Sequence, residues 1–181
     1  CSKNTVDSQK LMRQLQAGGY RVEADSVGLA DITIINTCGF IHDAKEESVD
    51  TIVRYAEAIR SEGRGKLFVM GCLVERYRNE LQDELPEVDG WFGVNRPQEV
   101  ISRLGLAYRP ELNGERILTG PAHYAYLKVS EGCDRTCAFC AIPDIRGRYI
   151  SAPLDELADE ARLLADRGVK ELILIAQDLT L

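Results

Sequence analysis

Half of the six cysteines in this chain fall inside ten residues, "EGCDRTCAFC" at 131–140. Cys133, Cys137 and Cys140, in CxxxCxxC spacing, are dense enough to wrap one soft metal centre, and neither a nucleophilic cysteine nor a disulfide needs that density. Zinc would ask for a fourth protein ligand. No Cys or His follows nearby, and His123 lies on the far side of the preceding strand. An iron–sulfur cube held by three cysteines leaves one of its four irons without a protein ligand. Asp134, Arg135 and Thr136 make the loop polar, which argues against three buried core thiols. Structural zinc and a simple electron-transfer cluster stay open as alternatives.

The other three cysteines are spread out, at Cys1, Cys38 and Cys72, 37 and 34 residues apart. Each interval is about one βαβ unit. Cys38 follows "IINT" and Cys72 follows "FVMG", where a strand gives way to a helix, while Cys1 precedes a helix and would follow a strand outside this sequence. Parallel neighbours lie about 4.8 Å apart, so loops leaving one sheet edge can converge on one site and hold a second cluster. A buried small thiol beside a strand is the alternative.

The elements that must position these thiols follow from hydrophobic spacing. "SKNTVDSQKLMRQLQAGGY" fits a helix with Asp7 or Ser8 near its start and Gly18-Gly19 at its end. Ile32, Ile34 and Ile35 read as a strand ending near Thr37. A helix then runs to about Ser61, with Ala44, Val49, Ile52, Val53, Ala56 and Ile59 inward and Glu46, Glu47, Asp50, Arg54 and Glu57 outward. "KLFVMGCL" repeats the pattern with strand Leu67 to Met70, a glycine turn, and a helix in "VERYRNELQDEL" closed by Pro86. "DGWFGV" predicts a third strand and "PQEVISRL" a short helix from Pro97. Alternation of this kind implies a parallel, Rossmann-like α/β domain over residues 1–104.

Residues 105–121 have three Gly and two Pro without period and read as a linker. Residues 122–181 begin a second domain: strand "YAYLKVS", the cysteine loop, a helix from about Pro153 to Arg167, and strand "KELILIAQD". The helix has Leu154, Leu157, Ala158, Ala161, Leu164 and Ala165 on one face. Strand, loop, helix, strand is the opening unit of a TIM-type βα barrel, whose sites lie at the strand C-terminal ends. About 58 residues remain from Tyr124, against ~250 in a full barrel. The chain, starting at Cys1 rather than Met, is therefore expected to be part of a longer one.

Composition bounds the function. Twenty-two Lys and Arg against 29 Asp and Glu give a net charge of −7, which argues against a broad nucleic-acid surface. No stretch approaches the roughly 20 apolar residues of a membrane span, and no signal-peptide pattern opens the chain. A soluble, cytoplasmic protein with no membrane contact is expected, and there cysteines are free, metal-binding or catalytic.

The cysteine loop resembles the signature of the radical S-adenosylmethionine enzymes, including the aromatic before the last cysteine, Phe139. "CSKNTVDS", "NTCGFIHDAKEES", "GCLVERY", "DGWFG", "YAYLKVSEGCDRTCAFCAIPDIRGRY" and "LILIAQD" together resemble the methylthiotransferases over nearly the whole chain. The tRNA branch of that family tends to read CQMN, NTCxVR and RGCN, where this chain reads CSKN, NTCGF and EGCD. Through "AKEES", "ERY" and "IRG" it is similar to the branch that modifies an aspartate of a small-subunit ribosomal protein. Thr5, Ala141 and "SAP" at 151–153 depart from the pattern and put only packing or substrate contacts in doubt.

The resemblance implies two [4Fe-4S] clusters, one on Cys133, Cys137 and Cys140 with S-adenosyl-L-methionine on its open iron, the other on Cys1, Cys38 and Cys72. It implies reductive cleavage to a 5′-deoxyadenosyl radical, hydrogen abstraction from the aspartate β-carbon, and delivery of a methylated sulfur from the second cluster. A flavodoxin-like or chemical electron donor is implied, and RNA contact through a further C-terminal domain. Phe139 is expected to flank the cofactor and Gln177 to bind the methionyl amine. Asp178 is either a partner in this or a helix cap. Arg146 and Arg148 are read as a solvated pair, with carboxylate binding as the alternative, and Asn36 as a strand-end amide or a neighbour of the second cluster. His42 and His123 are read as surface residues. A tRNA methylthiotransferase and a non-catalytic iron–sulfur carrier are the competing functions.

Overall fold

The computed structural model describes residues 1–25, 28 and 30–180. In chain order the elements are α1 (Ser2–Ala17), β1 (Ile32–Thr37), α2 (His42–Glu62), β2 (Lys66–Gly71), α3 (Cys72–Glu84), β3 (Gly90–Phe92) and α4 (Pro97–Arg103). After a 3-10 turn at Pro110–Leu112 they continue with β4 (Tyr124–Lys128), β5 (Ser130–Glu131), α5 (Ile142–Arg146), β6 (Ile150–Ser151), α6 (Leu154–Asp166) and β7 (Glu171–Ile175). Among the described residues no helix is long and apolar enough to cross a membrane. The chain divides into two compact units, one of Asp25–Arg96 and one made of Cys1–Ala24 together with the residues from Pro97 onward.

The Asp25–Arg96 unit is a three-stranded parallel sheet in the order β1-β2-β3. β2 is central and buried from Leu67 to Gly71, as a continuous apolar run predicts for a strand covered on both faces. Ile52 and Ala56 of α2 and Leu73, Val74 and Leu81 of α3 close over it, with Trp91 in the same core. The outward face of α2 is the expected one: Glu46, Glu47, Asp50, Arg54 and Glu57 are all exposed. α3 differs from expectation because no separate turn precedes it. Helix begins at Cys72, directly after Gly71, and is kinked at Tyr77.

The other unit contains a parallel pair, β4 with β7, crossed over by α6, and a two-residue antiparallel pair, β5 with β6. Ala125, Leu164 and Val169 pack between α6 and β4. The expected apolar stripe of α6 needs correction: Leu154 is 82% exposed and Ala165 is exposed, whereas Glu160 is buried. Glu160 holds Lys10 at 2.8 Å and Arg116 at 3.4 Å, so the face is completed by charge pairing rather than by leucine.

α1 begins at Ser2, earlier than the Asp7 or Ser8 start that capping logic suggests, with Cys1 as N-cap and no side-chain cap bond. It groups with the residues after Pro97, and the segment read as a linker is tied to it. Gln14 exchanges hydrogen bonds with the Arg109 backbone at 2.7 and 3.0 Å. Ile117 N–H donates to Gln9 O at 3.1 Å. Arg116, inside that segment, is 1% exposed and donates to Tyr126 O.

Candidate functional site

None of the six cysteines is in a disulfide. In the sheet unit, the β1–β2 register pairs Thr37 with Gly71, so Cys38 and Cys72 leave neighbouring strands side by side at the same edge. The residue after Cys38 comes close to the backbone of Cys72. A Cβ added to Gly39 would stand 2.6 Å from Cys72 O and 2.8 Å from Leu73 Cα, so only glycine allows this approach. Thr37 Oγ1 donates to Met70 O at 2.7 Å, Cys38 N–H to Ser48 Oγ at 3.1 Å, and Arg76 Nη1 to Gly39 O at 2.8 Å, which fixes the turn after β1 from three sides. Asn36 lies at the same edge, its Oδ1 against Gly71. Cys72 is buried and Cys38 half-buried.

Cys1, Cys133, Cys137 and Cys140 belong to the other unit, with Cys1 exposed at the start of α1. The cysteine loop leaves β5 through Gly132, at φ +73°, where a Cβ would meet Arg148 O at 2.0 Å. Cys133 N–H donates to Gly147 O at 3.1 Å and Tyr149 N–H to Asp134 Oδ1 at 3.1 Å, which anchors the loop to the turn after α5. Cys140 N–H donates to Cys137 O at 3.0 Å. Cys137 is exposed, Cys133 and Cys140 are half-buried, and Phe139 is 96% exposed. Among the described residues no group of three His, Cys, Asp or Glu is arranged to hold a single metal ion. Three free thiols on one pinned loop remain a donor set suited to a soft centre, and the thiols of a cube, bound to different irons, need not meet at one point.

Below the loop lies a group that sequence reasoning missed. Glu131 Oε2 accepts from Lys128 Nζ at 2.7 Å, and Glu131 Oε1 accepts from Gln177 Nε2 at 2.6 Å. Arg146 reaches Glu131 and Asp7, and its side chain is 3% exposed, so the reading of Arg146 as a solvated arginine is corrected; Arg148 is exposed. Burial would lower the Lys128 pKa, but the Asp7 and Glu131 carboxylates outweigh it and hold it above the usual lysine value. Burial holds Lys3 below that value. Among the described residues Gln177 Oε1 is buried without a hydrogen-bond partner, a strong acceptor with room for a donor. Asp178 follows the end of β7 by three residues. It accepts from Thr180 N–H at 2.8 Å and Oγ1 at 2.6 Å and from Arg135 Nε of the cysteine loop, and these bonds lower its pKa to about 2. His42 and His123 are exposed, as expected.

Comparison with known proteins agrees with the motifs. Residues 1–93 match the model of the uncharacterized protein family UPF0004, and residues 127–181 that of the radical SAM superfamily. The chain is 56% identical to "Ribosomal protein uS12 methylthiotransferase RimO" of Phocaeicola vulgatus, over 99% of this chain and 42% of that protein. It is 56% identical to the protein of the same name from Chlorobium phaeovibrioides, over 100% and 42%. For that of Cytophaga hutchinsonii the figures are 49% identity over 99% and 41%. The chain thus spans about two fifths of the length of the curated relatives it matches. The resemblance drawn from the motifs to the ribosomal-protein methylthiotransferases is the one found by comparison.

Proposed function

Since this chain belongs to the UPF0004 protein family, we propose that it is part of a radical S-adenosylmethionine methylthiotransferase acting on an aspartate β-carbon of small-subunit ribosomal protein uS12. The names of the relatives support the substrate. The observation that carries the reading beyond radical chemistry in general is the Thr37–Gly71 register, which sets Cys38 beside Cys72. A radical enzyme with one cluster has no use for a second thiol pair pinned at a sheet edge.

In this reading Cys133, Cys137 and Cys140 hold one [4Fe-4S] cluster, and Cys38 and Cys72 with Cys1 hold the other. When bound, the clusters and S-adenosylmethionine supply the electron, the hydrogen-abstracting radical and the sulfur. The chain's own residues bind and orient them. Gln177 Oε1 fits the methionyl ammonium, because its Nε2 is already given to Glu131 and the acceptor is left over. Exposed Phe139 fits an apolar flank of the same cofactor. Glu131 fixes the Gln177 amide through that bond, and Arg135 with Asp178 ties the middle of the cysteine loop to the end of β7. β4, α6 and β7 are read as the first unit of a partial βα barrel. Residues 1–104, 105–121 and 122–181 are read as α/β domain, linker and barrel start. A cytoplasmic location, a flavodoxin-like electron donor and RNA contact through a further C-terminal domain complete the proposal.

The test is to incubate full-length, anaerobically reconstituted protein with S-adenosylmethionine, reductant and uS12, and to locate modification by peptide mass. The reading expects one aspartate to gain a methylthio group and tRNA to gain none. Methylthiolated tRNA would move the protein to the other branch, and no cleavage of S-adenosylmethionine would make it an iron–sulfur carrier.

A further inference from the structure

Four elements each put one charge into a single group under the cysteine loop. Asp7 comes from α1, Lys128 from β4, Glu131 from β5 and Arg146 from α5. Asp7 Oδ1 accepts from Lys128 Nζ at 2.5 Å and Asp7 Oδ2 from Arg146 Nη1 at 3.0 Å. Glu131 Oε2 accepts from the same two cations at 2.7 and 3.3 Å. Arg146 Nη2 also donates to Asn4 Oδ1, one turn before Asp7 on α1. None of the four charged side chains is more than 17% exposed. Pairing two cations with two carboxylates lets these ionised groups leave water together, with the half-buried Lys3 near enough to interact with all four. A further bond, Lys3 Nζ to Ala176 O at 2.6 Å, ties the same first turn of α1 to the end of β7.

The place of this group matters more than its stability. α1 starts at Cys1, and Asn4 and Asp7 occupy its first two turns. At the other end Glu131 stands two residues before Cys133, and Arg146 closes the short helix that follows Cys140. Resting on the functional reading above, we infer that Asp7 is a positioning residue. Through Lys128 and Arg146 it holds the helix that carries Cys1 at a fixed separation from the loop that carries Cys133, Cys137 and Cys140. Radical formation needs only the loop. Capture of the substrate radical by sulfur needs the separation, because a short-lived radical is captured only by a partner already in reach.

The experiment uses full-length protein with Asp7→Asn, which keeps the size and removes the charge, and Asp7→Glu, which restores the charge. Without cofactors, hydrogen exchange in Asp7→Asn should rise about tenfold in both the 2–17 and 130–147 peptides while the β1–β3 sheet is unchanged. Exchange equal to wild type in those peptides overturns the inference, whatever the enzyme does. After reconstitution, Asp7→Asn should keep its iron and its 5′-deoxyadenosine formation yet make at least about tenfold less methylthio product per 5′-deoxyadenosine. Partial recovery of that ratio is expected in Asp7→Glu. An unchanged ratio, even at lower activity, would make Asp7 merely structural and overturn the inference. If wild type forms no 5′-deoxyadenosine, the functional reading fails and the exchange result alone decides the clamp. Should Asp7→Asn not fold, Asp7→Leu with Lys128→Met removes one balanced pair, and the same two readouts apply.

Discussion

Glu160 and Arg116 show how charge is buried in this molecule. Arg116, 1% exposed, meets Glu160 at 3.4 Å, and Lys10 meets the other carboxylate oxygen at 2.8 Å. Burial lowers the arginine pKa, yet a guanidinium stays ionised in proteins, so removing its partner strands a charge. Glu160→Ala should cost about 3–5 kcal/mol in urea unfolding, while Arg116→Met with Glu160→Leu should be nearly neutral. An equal loss in both would mean that packing, not charge, is at stake. Asp178 is the pH-sensitive counterpart. Its pKa, about 2, lies below the ordinary aspartate value near 4, so its bonds to Thr180 and Arg135 stabilise fully above that value. The contribution is lost as pH falls through about 2. Carboxyl NMR titration should give a midpoint near 2, moving toward 4 in Thr180→Ala; a midpoint near 4 in wild type would mean the clasp does not form.

Among the elements, the turn after β1 is the most constrained. Gly39→Ala places a Cβ 2.6 Å from Cys72 O, backbone that cannot step aside. The variant should lose about 1–3 kcal/mol and form a Cys38–Cys72 disulfide more slowly under mild oxidant than wild type; an unchanged rate would show that the thiols are not held side by side by this contact. The strands and helices that carry Cys38 and Cys72 were legible in the sequence because long apolar runs and 3.6-residue spacing are local signals. The β5–β6 pair was not, since two-residue strands have no periodicity. The start of α1 was misread because it has no side-chain cap, and Asp7, which looked like one, faces Lys128 and Arg146 instead. The partners of Arg146 on α1 are about 140 residues away, and nothing local in "IRGRY" points to them. Glu160 did leave a signal: it sits three after Leu157 and four before Leu164, on the face that spacing turns inward.

At the scale of the whole molecule the claim is that two thiol trios serve two different steps. Anaerobically reconstituted full-length protein should hold about eight irons, and Cys133→Ala with Cys137→Ala about four; stoichiometric zinc without iron would contradict both sites. The most direct measurement compares two single variants of the full-length enzyme in one assay. Cys38→Ala, in soluble monodisperse protein that keeps the absorbance of the remaining cluster, should still cleave S-adenosylmethionine to 5′-deoxyadenosine and yield no methylthiolated aspartate, whereas Cys137→Ala should lose both. Normal methylthiolation by Cys38→Ala would make Cys38 only a thiol at a strand end and would contradict the account.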